Sequence, residues 1–213
     1  MRGRGWTTLR HGVAWLPFLT LLFDTATGRL SPNPIQDWTL RTGRAALLML
    51  VLSLSVTPAT WWRPLRGLKP WRRTWGLYAF AYAVLHVYIL VGVDYTWRLD
   101  WLWADLGRDK PYAWYGAAAW LLLAVLAATS PRRVVRALGA RRWKAVHRAV
   151  YGAALLAVVH QALAVKGNVL TLQGDVRRPL LAGLAVAGLL LARAVVAWQR
   201  RRRAVRRALH PAA

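Results

Sequence analysis

Six apolar stretches separated by polar loops organise the chain. They run over about 11–28, 43–60, 73–93, 112–130, 147–165 and 179–198, and a bilayer core takes roughly 17–25 apolar residues per helix. In the first stretch the apolar run His11–Phe23 is short and must borrow flanking residues to cross. No stretch alternates with period two, so an outer-membrane type of barrel is not expected. The predicted fold is all-α: an integral membrane six-helix bundle, one domain over residues 1–213, without internal repeat or low-complexity linker. Pro58 and Pro179 fall at helix ends, where a missing N–H matters least. Pro17 lies inside the first helix and is expected to kink it.

Charge supports the six-span count. Twenty of the 31 Lys and Arg residues fall in alternate segments beginning with the N-terminus, while all seven acids (Asp24, Asp37, Asp94, Asp100, Asp105, Asp109, Asp175) fall in the others. That asymmetry predicts both termini in the cytoplasm. The N-terminus also resembles a secretory signal, but no clean small-x-small cleavage site follows, and an uncleaved first helix is preferred. A net charge of +24 suggests nucleic acid at first sight. The basic residues alternate by loop instead of forming one face, which excludes that partner. The tail Arg200–Arg207 reads as a stop-transfer cluster against anionic membrane lipid. Many of the 14 Trp, among them Trp61, Trp62, Trp71, Trp75, Trp97, Trp101 and Trp103, flank span ends as an interfacial aromatic belt. The absence of Cys removes disulfides, thiolate chemistry, iron–sulfur clusters and Cys-x-x-Cys-His haem attachment.

With no acids inside the spans, the histidines there stand out, because an ionisable group at membrane depth is costly. His86 in the third span and His160 in the fifth lie about seven and five residues from the same end, hence roughly 8–10 Å deep at 1.5 Å per residue. Two neutral imidazoles at one height on separate helices suit the axial ligation of a b-type haem. The alternative is a buried histidine satisfied by a carbonyl or a polar cavity. Tyr82 and Tyr78, one and two turns before His86, are expected to continue an aromatic wall on its face. His147 is 13 residues before His160, about 20 Å lower and about 140° round the helix. It is either a ligand of a second haem or an interfacial histidine, with His11 a lesser candidate beside it. His210, in the tail, has no assigned role. Arg72, Arg73, Arg141, Arg142 and Arg148 cluster where basic loops meet the histidine spans. They either hold haem propionates, an anionic flavin or a partner surface, or simply obey positive-inside topology. A transporter or proton-conducting protein is the alternative class, but it usually carries carboxylates in its spans. A metalloenzyme lacks His-Glu-x-x-His.

Several motifs together resemble one family. They are Asn33-Pro-Ile-Gln-Asp37, Thr42-Gly-Arg-Ala-Ala-Leu47, Thr57-Pro58, Arg72-Arg73-x-x-Gly76-Leu through Leu85-His86, Lys110-Pro-Tyr112, Thr129-Ser130, and Leu138-Gly-x-x-x-Trp143-x-x-x-His147-x-x-x-Tyr151 leading to His160 and Val165-Lys166. The chain is similar over nearly its whole length to the MsrQ/YedZ family, the haem-binding membrane subunit of the periplasmic methionine sulfoxide reductase system, in the ferric-reductase-like transmembrane group. The resemblance implies one or two haem b groups in a six-helix bundle of the bacterial inner membrane, with FMN also associated. It implies electrons passing from a cytoplasmic flavin reductase or the quinol pool to a periplasmic molybdopterin enzyme that reduces methionine sulfoxide. On this resemblance the chain is an electron-transfer subunit rather than the catalytic one. Its haem-linked histidines map onto His86, His147 and His160, and the first-helix histidine onto His11. The loop carrying Asp94, Asp100, Asp105 and Asp109 is the expected docking face for the periplasmic partner.

Overall fold

The computed structural model describes residues 2–108, 110–164, 167–168, 173–174 and 176–209. Its elements are α1 (Arg2–Ala26), α2 (Pro34–Ala59), α3 (Lys69–Tyr88, continued by a π turn Ile89–Asp94), α4 (Leu99–Arg108), α5 (Ala113–Ala128), α6 (Arg132–His147), α7 (Ala149–Ala164), a two-residue antiparallel hairpin β1 (Gly167–Asn168) and β2 (Gln173–Gly174), and α8 (Arg177–Leu209). Among the described residues, three helical stretches, 34–59, 63–94 and 177–199, are long and apolar enough to cross a bilayer. A fourth arises if α5 and the helix bent from it by 105° form one span. Apart from the small hairpin, the chain is an all-α, multi-pass membrane protein.

Local chemistry sets the helix ends. Asn33 caps α2, its side chain accepting the Gln36 N–H at 3.1 Å, with Pro34 in the first turn where its missing N–H costs nothing. Trp38 Nε1 donates to Thr25 Oγ1 at 3.1 Å, and Arg41 pairs with Asp24, so the loop from α1 to α2 is closed on both sides. The core lies between α2 and α3, where Met49, Leu50, Leu54, Trp71, Trp75 and Ala79 are buried. α5 packs on α7 to form the second helix pair, and α8 covers α2 and α7. Large side chains such as Leu181, Leu184 and Leu191 of α8 face outward, as lipid-facing residues do.

Next to Pro17 the Tyr82 hydroxyl bonds both the Ala14 carbonyl and the Phe18 N–H of α1. It accepts from Phe18 N–H at 3.2 Å and donates to Ala14 O at 2.7 Å. Tyr82 and Tyr78 therefore serve the contact with α1 and do not extend a wall beside His86; Tyr78 meets His11 instead. α1 is also longer than its apolar run suggested, because its polar N-terminal turns are helical too.

Two helices occupy segments that hydropathy alone reads as loops. α6 follows Pro131 and is split by Gly139, whose φ of 71° only glycine adopts freely. α4 lies in the loop between α3 and α5, held there by three side chains. Tyr95 OH donates to Asp105 at 2.6 Å, and Lys110 Nζ donates to Tyr95 OH at 2.6 Å and pairs with Asp105 at 3.2 Å. Asp100 is likewise paired with Arg98 at 2.8 Å. Two of the acids expected to face a partner are thus neutralised within the loop; Asp109 lies outside the described residues.

These bonds give the loop a defined pH window. The hydrogen bonds from Tyr95 and Lys110 hold the Asp105 carboxyl below its usual range. Partial burial alone lowers Lys110, but its bonds to Tyr95 and Asp105 outweigh this and hold it above its usual value. The Asp105 contribution is present above the ordinary carboxylate value and disappears as pH falls through the lowered one. The Lys110 contribution is present below the ordinary lysine value and disappears as pH rises through the raised one. Hydrogen-exchange protection of the α4 amides is expected to be flat across neutral pH and to fall below about pH 4. Asp105→Asn should show the same several-fold loss already at pH 7.

Candidate functional site

α3 and α7 bring His86 and His160 together, as their matched depth predicted. The ring centroids are 6.2 Å apart and the planes meet at 78°. Each ring is anchored through its Nδ1. His86 Nδ1 lies 2.8 Å from the Thr39 carbonyl of α2, and His160 Nδ1 lies 2.9 Å from the Tyr112 carbonyl at the start of α5. A carbonyl only accepts, so both Nδ1 atoms carry the proton and both Nε2 atoms keep a lone pair. That is the tautomer a metal takes, and a ligating histidine typically has its other nitrogen held by an acceptor in this way.

The spacing fits a metal ion between the rings. With metal–nitrogen bonds of about 2 Å, two imidazoles on opposite sides of an ion hold their centroids about 6 Å apart. Among the described residues no group of three or more His, Asp or Glu gathers. Two protein nitrogens are too few for a four-coordinate zinc site, whereas a haem macrocycle brings the other four donors itself. Trp120 Nε1, one turn along α5 from Gly116, and Gln161 Oε1, beside His160, are both buried without a partner. Such orphaned atoms mark polar contacts left for a ligand or water.

A separate cavity of about 240 Å³ lies toward the basic end of the bundle. Its polar lining is Lys69, Arg72, Arg73, Ser53, Ser130 and His147, with leucines of α2, α3 and α5 as apolar walls. His147 is clamped there. Thr129 Oγ1 donates to the Val125 carbonyl at 2.7 Å and so accepts from His147 Nε2 at 3.2 Å, while the Trp143 ring stacks on the imidazole at 4.1 Å. Trp143 Nε1 in turn donates to the Thr129 carbonyl at 3.0 Å. Arg72 and Arg73 thus line a pocket with His147, whereas Arg141, Arg142 and Arg148 are exposed. His11 joins neither site; its Nδ1 is 3.0 Å from Tyr78 OH. His210 and the Val165–Lys166 pair lie outside the described residues.

Residues 42–158 match the ferric reductase like transmembrane component family. The chain is 42% identical over 183 residues to a protein-methionine-sulfoxide reductase heme-binding subunit MsrQ of Rhodospirillum rubrum, covering 84% of this chain and 82% of that one. A protein of the same name in Deinococcus radiodurans is 42% identical over 84% of each chain. That of Caulobacter vibrioides is 34% identical over 92% of this chain and 90% of its own. The chain belongs to the MsrQ family. Membership and the apolar helices together make it a multi-pass protein of the inner membrane.

One residue of this MsrQ family member escaped sequence reasoning. Arg193 of α8 reaches across the bundle, donating from Nη1 to Tyr151 OH at 2.6 Å and from Nη2 to the Leu54 carbonyl at 2.5 Å. That carbonyl is free because Pro58, four residues on, has no N–H to give it. Pro58 was the available signal: a proline inside an apolar helix orphans the carbonyl one turn before it. Arg193 also stands near enough to Arg72 for the two charges to repel. Arg193→Met should lower the thermal midpoint in detergent, since an unpaired buried carbonyl costs about 1–3 kcal/mol. In a Pro58→Ala background, where Leu54 regains a helical donor, the same substitution should cost clearly less. Equal losses in the two backgrounds would contradict the pairing.

Proposed function

We propose that this chain is the haem-binding electron-transfer subunit of a protein-methionine-sulfoxide reductase system, with haem b held between His86 and His160. The observation that carries this reading is the pair of imidazoles whose ring centroids lie 6.2 Å apart, each held through Nδ1 by a carbonyl so that its Nε2 keeps a lone pair. When bound, the haem supplies one-electron redox chemistry, and its potential is set by axial ligands, burial and nearby charge. The chain's own residues ligate, orient and exclude water. His86 and His160 would hold the haem iron between them, so that the subunit would relay electrons and leave sulfoxide reduction to a partner.

The cationic cavity supports a second cofactor position. Arg72 and Arg73 would hold its anionic groups, haem propionates or the phosphate of FMN, with His147 on the wall. We read the chain as one domain of six spans with α1, α5 and α7 crossing beside α2, α3 and α8, and with both termini in the cytoplasm. The cavity then opens toward a cytoplasmic flavin reductase or a quinol donor, and the histidine pair lies nearer the periplasmic molybdopterin subunit. Charge asymmetry between the loops supports this orientation.

An oxidised-minus-reduced absorption spectrum with haem quantified per chain tests the reading. The detergent-purified protein should give a low-spin b-type spectrum with one or two haems. His86→Ala and His160→Ala should each lose the haem they share, and a His147→Ala variant that drops a ratio near two to near one assigns the second position. Colourless protein from cells supplied with haem precursor, or full haem content in either of the first two variants, overturns the proposal.

A further inference from the structure

Each histidine of the pair lies across a glycine, and the two arrangements match. In a helix the carbonyl of one residue points toward the residue four places on. Thr39 and Gly43 stand in that relation on α2, and Tyr112 and Gly116 do so on α5. A Cβ at Gly43 would sit 3.0 Å from His86 Nδ1 and 3.1 Å from Cε1; at Gly116 it would sit 2.8 Å from His160 Nδ1 and 2.9 Å from Cε1. The two distances at Gly116 are shorter than a side-chain carbon tolerates, and the two at Gly43 sit at the lower edge of what it does. The absent side chain lets each ring lie flat on the neighbouring helix and bring its Nδ1–H onto the carbonyl one turn earlier. A similar close approach recurs at Ser53, whose hydroxyl donates to the Arg72 carbonyl at 2.8 Å and whose oxygen would lie 3.3 Å from a Cβ at Gly76.

We propose that Gly43 and Gly116 are positioning residues for the metal-binding histidines: by admitting His86 and His160 onto the Thr39 and Tyr112 carbonyls, they fix the Nδ1–H tautomer and aim both Nε2 atoms at one point. Glycine is a poor helix former, and at both positions it stands inside a helix facing an imidazole, not at a turn. A methyl group at either site pushes the ring away from its carbonyl, loosens its orientation and swings Nε2 off the common axis. The proposal rests on haem ligation by this pair and adds what holds the pair in register.

The test combines haem affinity with spectroscopy. Gly43→Ala and Gly116→Ala should lose haem to an excess of apomyoglobin with about 10–100-fold weaker retention, the usual effect of removing a group that orients a metal ligand. Their remaining haem should show shifted low-spin electron paramagnetic resonance g-values, with the larger effect at Gly116. Gly152→Ala, where a Cβ meets only Leu122 at an ordinary 3.7 Å, should retain haem and keep its g-values. Wild-type retention and g-values in both first variants overturn the proposal, as does an equal loss in Gly152→Ala. Where an alanine variant does not fold, nitrogen-15 spectra of the haem-free wild-type chain decide: both imidazoles must be protonated at Nδ1, and an Nε2–H form in either refutes it. Failure of the ligation reading itself is separate, since it shows as haem retained in His86→Ala or His160→Ala.

Discussion

Inside a bilayer there is no water to satisfy a polar group, so each donor and acceptor that enters must meet another from the same chain. The bundle is arranged around that requirement. Beside Pro17 in α1, the Tyr82 hydroxyl bonds both the Ala14 carbonyl and the Phe18 N–H. Where Pro58 frees the Leu54 carbonyl, Arg193 supplies the donor from α8. Where two histidines approach from α3 and α7, the Thr39 and Tyr112 carbonyls each take one N–H. In the last pairing, satisfying one nitrogen of each ring leaves the other with a free lone pair.

The two polar regions of the bundle then divide along chemical lines. The histidine pair is held by two backbone carbonyls, and the helices α5 and α7 that carry its surroundings also bury partnerless polar atoms of Trp120 and Gln161. The second region gathers Lys69, Arg72 and Arg73 around a cavity with the clamped His147, without a carboxylate in its lining. On the proposed reading, a metal held by the two imidazoles and an anionic ligand held by the guanidinium groups would be complementary occupants, one region for each. The acids gather in loops, where Asp100 and Asp105 are spent on Arg98, Tyr95 and Lys110. The exposed part of that loop is accordingly more aromatic than acidic.

Much of this architecture is legible in the amino-acid sequence. Spans, their apolar character and the exceptional status of His86 and His160 follow from hydropathy and from the cost of burying ionisable groups, both of which act residue by residue. α4 and α6 are not legible there, because an amphipathic or basic helix lacks the apolar run that marks a span. Tyr78 and Tyr82 share a face with His86 by helical spacing, yet α1 claims them, and spacing on one helix does not say which neighbour lies opposite. Arg193 reads as one more helix-end arginine until the free carbonyl at Leu54 explains its depth.

The amino-acid sequence by itself determined that this is a multi-pass helical membrane protein with a depth-matched histidine pair and an uneven distribution of charge. Those properties depend on residue type and on distance along one helix. Only the tertiary structure decided which nitrogen of each histidine is free, which carbonyls hold the others, and that Gly43 and Gly116 make the approach possible. These depend on how α2 meets α3 and how α5 meets α7, to within a fraction of an ångström. Close packing between helices sets that distance, and no pattern along a single chain segment encodes it.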